Sequence, residues 1–190
     1  MSKIFVTSDL HIGHARILEY CPGRGNTVEE MNETIVRNWN SVVSWDDEVI
    51  ICGDVIMGIV EKSIPIIRRL NGTKRLCFGN HDRKLKSLIK LPENQDLFVS
   101  AEYQYETTVK VDDKKHNIVF THYPLMHWSG QDRGAISLSG HTHSTGEARF
   151  PSKYRQMDIG ADGNGLTPYL LEDVVRVLLN RPFKPNHHNL

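Results

Sequence analysis

The sequence predicts an α/β protein built as a four-layer αββα sandwich, two mixed sheets flanked by helices, and three observations carry that prediction. Up to about residue 90, short apolar runs alternate with amphipathic segments, the pattern of a largely parallel sheet with crossover helices. Beyond that point the chain becomes strand-rich, which adds a second sheet. Five of the apolar runs end in a short polar signature, and in open α/β sheets functional groups gather at the carboxyl ends of the strands.

Taken in order, Ile4-Phe5-Val6 is the first strand and runs into Asp9-Leu10-His11. Thr27 to Val43 is a helix, because Val28, Met31, Ile35, Trp39 and Val42 recur at steps of three and four and Thr27 with Glu30 reads as a capping box. Val49-Ile50-Ile51-Cys52 is a strand ending in Gly53-Asp54. A helix between Ile59 and Leu70 is closed by Asn71-Gly72, and Pro65 requires it either to kink or to begin there with Ser63 as its cap. Leu76-Cys77-Phe78 leads to Gly79-Asn80-His81-Asp82 and then to a short helix with Leu85, Leu88 and Ile89 on one face.

In the second half, Tyr103 to Val111 and His116 to Thr121 flank Asp112-Asp113-Lys114-Lys115, a hairpin signal. Ile118-Val119-Phe120 ends in Thr121-His122, and Ile136-Ser137-Leu138 precedes Gly140-His141-Thr142-His143. Gln156 to Ile159 reads as a strand and Leu171 to Leu179 as the last helix. Asp162-Gly163-Asn164-Gly165 reads as a tight turn, with a place beside the site as the alternative; Trp128 and Tyr123 read as packing residues, with stacking on a base or covering the site as the alternative. Residues 1–180 are expected to form one domain, followed by a polar, proline-containing tail, 181–190, in which His187 and His188 are solvated.

Composition narrows the functional classes. Lys plus Arg and Asp plus Glu both number 23, so there is no global basic field that would demand nucleic acid as a partner. The apolar runs are too short to span a membrane, and the opening residues enter the first strand without a signal peptide. Cys21, Cys52 and Cys77 lack CxxC spacing and read as reduced thiols of a cytoplasmic protein. His116 and His127 read as ordinary histidines.

The polar signatures hold carboxylates, an amide and several imidazoles, but no thiolate. Imidazole with carboxylate suits Zn²⁺, Mn²⁺ or Fe, whereas a pure Mg²⁺ or Ca²⁺ site uses oxygen alone. Two such ions about 3.5–4 Å apart clamp a displacement at phosphorus. His14, Arg16 and Arg83 lie next to the signatures and are candidates for reading a substrate phosphate, since a guanidinium can hold two phosphate oxygens at once.

The ordered set resembles the calcineurin-like metallophosphoesterases, whose pattern is D-x-H, G-D, G-N-H-D or G-N-H-E, a lone His, and G-H-x-H. Every block is matched in order from Asp9 to His143, and Asp9-Leu10-His11-Ile12-Gly13-His14 is similar to the opening of small bacterial, archaeal and phage members. The resemblance implies that Asp9, His11 and His143 hold one metal, that Asn80, His122 and His141 hold a second, and that Asp54 bridges them. It implies that His81 assists the leaving oxygen and is oriented by Asp82. The cofactors would be two divalent ions, Mn²⁺ first, with Zn²⁺, Fe or Ni²⁺ as alternatives. A water or hydroxide between them would attack phosphorus in line, hydrolysing small phosphomonoesters or phosphodiesters, nucleotides and cyclic nucleotides included. A protein phosphatase, a nuclease and a silent scaffold of the same fold are the alternatives.

Overall fold

In a computed structural model, which describes residues 2–143 and 154–183, the chain runs β1 (Ile4–Thr7), α1 (Ile17–Tyr20), α2 (Val28–Val42), β2 (Glu48–Ile51), α3 (Val60–Arg68), β3 (Thr73–Cys77), α4 (Arg83–Leu88), β4 (Ser100–Glu102), β5 (Gln104–Val111), β6 (Lys114–Thr121), β7 (Ile136–Ser139), β8 (Gln156–Asp158), β9 (Tyr169–Leu170) and α5 (Leu171–Leu179). His187, His188 and most of the expected tail lie outside the described residues. One sheet has the order β4-β3-β2-β1-β9, parallel except for β9; the other has the order β5-β6-β7-β8, with only β5 antiparallel to its neighbour. Both sheets are therefore mixed, as the sequence predicts.

The period of two along each strand divides the core. Phe5, Val49, Ile51 and Leu76 face the helices, where Met31, Ile35 and Trp39 of α2, Ile67 of α3 and Leu85 of α4 cover them. Val6, Ile50 and Cys77 point the other way and meet Ile118, Phe120, Ile136 and Leu138 of the second sheet. The apolar stripe of α5, Leu171, Val174, Val175 and Leu178, joins this middle layer. On the second sheet's outer face Val119 packs with Trp128 and Ala135, so Trp128 is the packing residue it was read to be.

Local chemistry explains most element ends. Thr27 caps α2 by accepting the Glu30 N–H at 3.1 Å, but the Glu30 carboxylate reaches the Asn26 N–H, not that of Thr27. The hairpin turn is tighter than expected: Asp112 and Asp113, at φ 49° and 62°, make a two-residue turn with both residues left-handed, and Lys114 and Lys115 enter the strand. Helix α3 starts at Val60 and runs through Pro65. Ser63 is not its cap; its hydroxyl donates to the Ile59 carbonyl at 3.1 Å. The proline ring removes one intrahelical N–H. Strands β4 and β9 and helix α1 escape a reading of periodicity because they have only three, two and four residues. Cys21, Cys52 and Cys77 are free thiols. No described helix is long and apolar enough to cross a membrane.

Candidate metal centre

Past the ends of β1 and β2 the two chains stay paired. The N–H groups of Asp9, His11 and Ile12 donate to the carbonyls of Gly53, Asp54 and Val55 at 2.9–3.0 Å. This extension turns sharply at the functional side chains. Asp9, His11, Asp54, His141 and His143 have φ of 57°, 52°, 54°, 72° and 48°, in the left-handed region that costs a non-glycine residue about 1–3 kcal/mol. Five such residues in one place mark backbone bent to aim side chains. Two glycines make room. A Cβ on Gly79 would overlap Asp54 Oδ1, and one on Gly140 would overlap Ser8 Oγ and Asp9 Oδ2.

The loops bring all seven proposed ligands together in two adjoining groups. In the first, Asp9, His11 and His143 have ligand atoms within 4.8 Å of one another. Asp9 Oδ2 accepts the His141 N–H at 2.9 Å, while Asp9 Oδ1 is buried with no hydrogen-bond partner and lies 3.9 Å from His11 Nε2 and 3.8 Å from His143 Nε2. Burial pushes the Asp9 carboxyl up to about 6 and pulls the His11 imidazole down to about 2, so His11 keeps the neutral, metal-binding form. An orphaned carboxylate oxygen facing two imidazole nitrogens fits a divalent cation that accepts mixed nitrogen and oxygen donors.

Behind this group stands a network of which the sequence offered only the Asp162 turn, as an alternative neighbour of the site, and not Arg24. His143 Nδ1 donates to Asp162 Oδ2 at 2.8 Å, which leaves Nε2 free for a ligand. Asp162 is in turn held by buried Arg24 through Nε and Nη2, both at 2.7 Å, and Arg24 also donates to the Leu10 and Asp9 carbonyls at 2.8 and 2.7 Å. Burial would raise the Asp162 carboxyl, but the hydrogen bonds from His143 and Arg24 hold it well below the usual carboxylate range. Burial lowers His143, yet its bond to Asp162 and the charges of Asp9 and Asp162 outweigh that and leave it above the ordinary value. The Asp162 segment is the turn it was read to be, with Gly165 left-handed at φ 57°. Its side chain has a second use that nothing local announces.

The second group contains Asp54, His122 and His141. His122 Nδ1 donates to the Cys52 carbonyl at 2.8 Å, so Nε2 presents its lone pair, 2.9 Å from Asn80 Oδ1 and 3.5 Å from Asp54 Oδ2. An imidazole nitrogen and an amide oxygen this close fit a shared cation. Burial lowers His141, keeping it in the neutral, ligating form. Asp54 Oδ1 accepts the His81 N–H at 2.9 Å, which directs Oδ2 between the groups, 3.8 Å from His11 Nε2. The His81 ring packs edge-on to His11, with Nε2 3.9 Å from Asp54 Oδ2. Asp82 does not orient that ring. Its buried carboxylate accepts the N–H groups of Asp54, Val55 and Gly79 at 2.9–3.0 Å and so clamps the two strand-end loops together.

The three proposed phosphate readers separate. His14, with its ring centroid 5.3 Å from His11, and Arg16, bonded to Tyr20 Oη at 2.8 Å, line a cavity of about 1010 Å³ against the first group. Arg83 lines a different hollow of about 620 Å³ against Asn80 and His122. Tyr123 follows its alternative reading and not that of packing: it is half exposed and stands edge-on to His122 and His141, with centroids 4.9 and 4.6 Å apart.

The profile of the calcineurin-like phosphoesterase superfamily domain matches residues 2–155. The Gene 66 protein of Mycobacterium phage L5 is 31% identical over 185 residues, which covers 87% of this chain and 89% of that protein. The Gene 66 protein of Mycobacterium phage D29 is 30% identical over 200 residues, with 95% and 97% covered. Among solved structures, a protein of unknown function from Aquifex aeolicus, AQ665, shares the fold with a TM-score of 0.69 at 18% identity, over 93% of this chain and 100% of that one.

Proposed function

We propose, on the premise that this chain belongs to the calcineurin-like phosphoesterase superfamily and is a metal-dependent phosphoester hydrolase, that its centre is dinuclear and acts on small phosphomonoesters or phosphodiesters, nucleotides among them. Asp9, His11 and His143 would hold one divalent ion, and Asn80, His122 and His141 the other. The observation that carries the reading is the position of Asp54 Oδ2, 3.8 Å from His11 Nε2 on one side and 3.5 Å from His122 Nε2 on the other. A single carboxylate facing both groups is what a bridging ligand requires. Mn²⁺ is the preferred ion, with Zn²⁺, Fe and Ni²⁺ as alternatives, because the donor set mixes imidazole, carboxylate and amide. When bound, the ions supply Lewis acidity at phosphorus and lower the pKa of water.

The remaining work belongs to the chain. His81 is partly exposed, at 36% of its side chain, and faces the cavity, where it would hold a proton for the departing oxygen. His14 and Arg16 on one side and Arg83 on the other would orient the phosphoryl oxygens. Asp82 would keep the loops of Asp54 and His81 in register. The test is elemental analysis of protein reconstituted with Mn²⁺, together with hydrolysis before and after chelation. Two ions per chain and loss of turnover in chelator are expected. Folded, active protein that holds one ion or none would refute the dinuclear reading.

A further inference from the structure

From the two hollows against the centre we infer that the substrate is a phosphodiester with two sizeable arms, the retained arm carrying a flat ring. The inference rests on the dinuclear reading above and narrows it to a substrate class. The hollows have no lining residue in common. The first meets the centre at His11, His81 and His143, and its lining also includes the apolar side chains of Ile17, Pro22, Met57 and Leu166 and the ring of Tyr20, with Arg16 and Arg24. The second meets the centre at Asn80 and His122 and is walled by Phe78, Tyr103, Tyr123 and Leu125 with Arg83. At about 1010 and 620 Å³, each is of the size that holds a small organic group, of about 300–1,000 Å³. A phosphomonoester has one arm and would leave one hollow to water.

The second hollow is furnished for a ring. Tyr103 is 66% exposed, yet its orientation is held: Lys86 Nζ donates to its hydroxyl at 2.8 Å and lies 4.4 Å from its ring centroid, and Phe78 packs at 5.5 Å. Tyr123 is fixed against His122 and His141. Exposed aromatic faces in set orientations are what a base or aryl group stacks on. Arg83 forms no ion pair among the described residues and is available to the single negative charge of a diester.

The placement of His81 assigns the arms. It lines the first cavity only, so the arm in that cavity departs. A water oxygen forms the new bond to phosphorus and gives one proton to solvent. The bond from phosphorus to the first-cavity arm breaks, His81 protonates the departing oxygen, and solvent reprotonates His81. The products are an alcohol and a monoester that carries the second-hollow arm.

The test compares kcat/KM of metal-reconstituted protein for bis(p-nitrophenyl) phosphate, methyl p-nitrophenyl phosphate and p-nitrophenyl phosphate, in the natural chain and in Tyr103→Ala. Both diesters should exceed the monoester. Tyr103→Ala should lower the ratio of bis-aryl to methyl-aryl turnover by about tenfold, a comparison that cancels the intrinsic reactivity of the esters. Calorimetric binding of diphenyl phosphate should weaken by a similar factor in the variant, and it reads the hollow without turnover. A monoester preference, or a bis-to-methyl ratio and diphenyl phosphate affinity unchanged in Tyr103→Ala, overturns the two-arm inference and leaves the dinuclear reading standing. If no metal binds and none of the three esters is hydrolysed, the dinuclear reading itself has failed.

Discussion

The two halves of the centre present similar imidazole and oxygen donors, but they are aimed by different means. On the first half, His143 is oriented by a side-chain relay, His143–Asp162–Arg24, whose links measure 2.7–2.8 Å. The same guanidinium grips the backbone of Asp9 and Leu10. On the second half, His122 is oriented by a backbone carbonyl, that of Cys52, at the end of β2. A carbonyl is present whatever the residue, whereas a buried ion pair exists only if both of its side chains do. The first half can therefore be detuned by substitution at a distance from any metal. The second depends on its own candidate ligands, on glycines whose missing Cβ makes the space, and on Asp82, whose carboxylate clamps the loops of Asp54 and Gly79. Asp54 lies between the halves, with Oδ2 3.8 Å from His11 Nε2 and 3.5 Å from His122 Nε2.

That contrast can be broken most severely at the shared residue. Asp54→Asn should strip metal from both halves together, and its loss of turnover should exceed that of any other single variant; retention of two ions and full activity would dissolve the partition. His81→Ala removes no proposed ligand. It should keep both ions and lose about 10²–10⁴-fold in kcat on esters with alkoxide leaving groups, and less when p-nitrophenolate departs. Equal losses on both substrates would limit His81 to positioning the phosphate.

Asp162→Asn is the sharper test of asymmetry. It should weaken the ion of the first half by about 10–100-fold and leave the other in place, as stepwise chelator competition would reveal. Equal weakening of both ions would mean that the relay supports the fold and not one half. The smallest effect is of pH. A metal ligand must be deprotonated, and burial raises Asp9 to about 6. Protons therefore compete for this oxygen below that value, as they do for His143, which lies above its ordinary value, so affinity at the first half should fall by about tenfold or more for each unit of acidification there. An affinity constant between pH 6 and pH 5 would remove Asp9 from the ligand set.

The candidate donors were legible before any fold was known, because each sits at the end of an apolar run and sheet topology brings such ends together. The helix of Val28–Val42 was legible for a similar reason, since its stripe and cap are local. The mistaken readings share the opposite cause. Of the two readings at Pro65, a helix start capped by Ser63 is the one that fails, because burial of Val60 and Ile67 carries α3 through the proline. Asp82 looked like a partner for its neighbour His81, but three backbone N–H groups claim it.

By itself, then, the sequence determined the types of candidate ligand, their order and their placement at strand ends, all of which depend on residues a few positions apart. Only the tertiary structure decided the rest. It joined Arg24 to Asp162 across 138 positions, set Arg16 and Arg83 on different sides of the centre, and brought Tyr123 to its rim. An arginine in a Pro-Gly turn and an aspartate in a Gly-rich one look like solvated residues. What buries and pairs them is the closing of loops from both sheets over the same few side chains, and that closure has no local pattern.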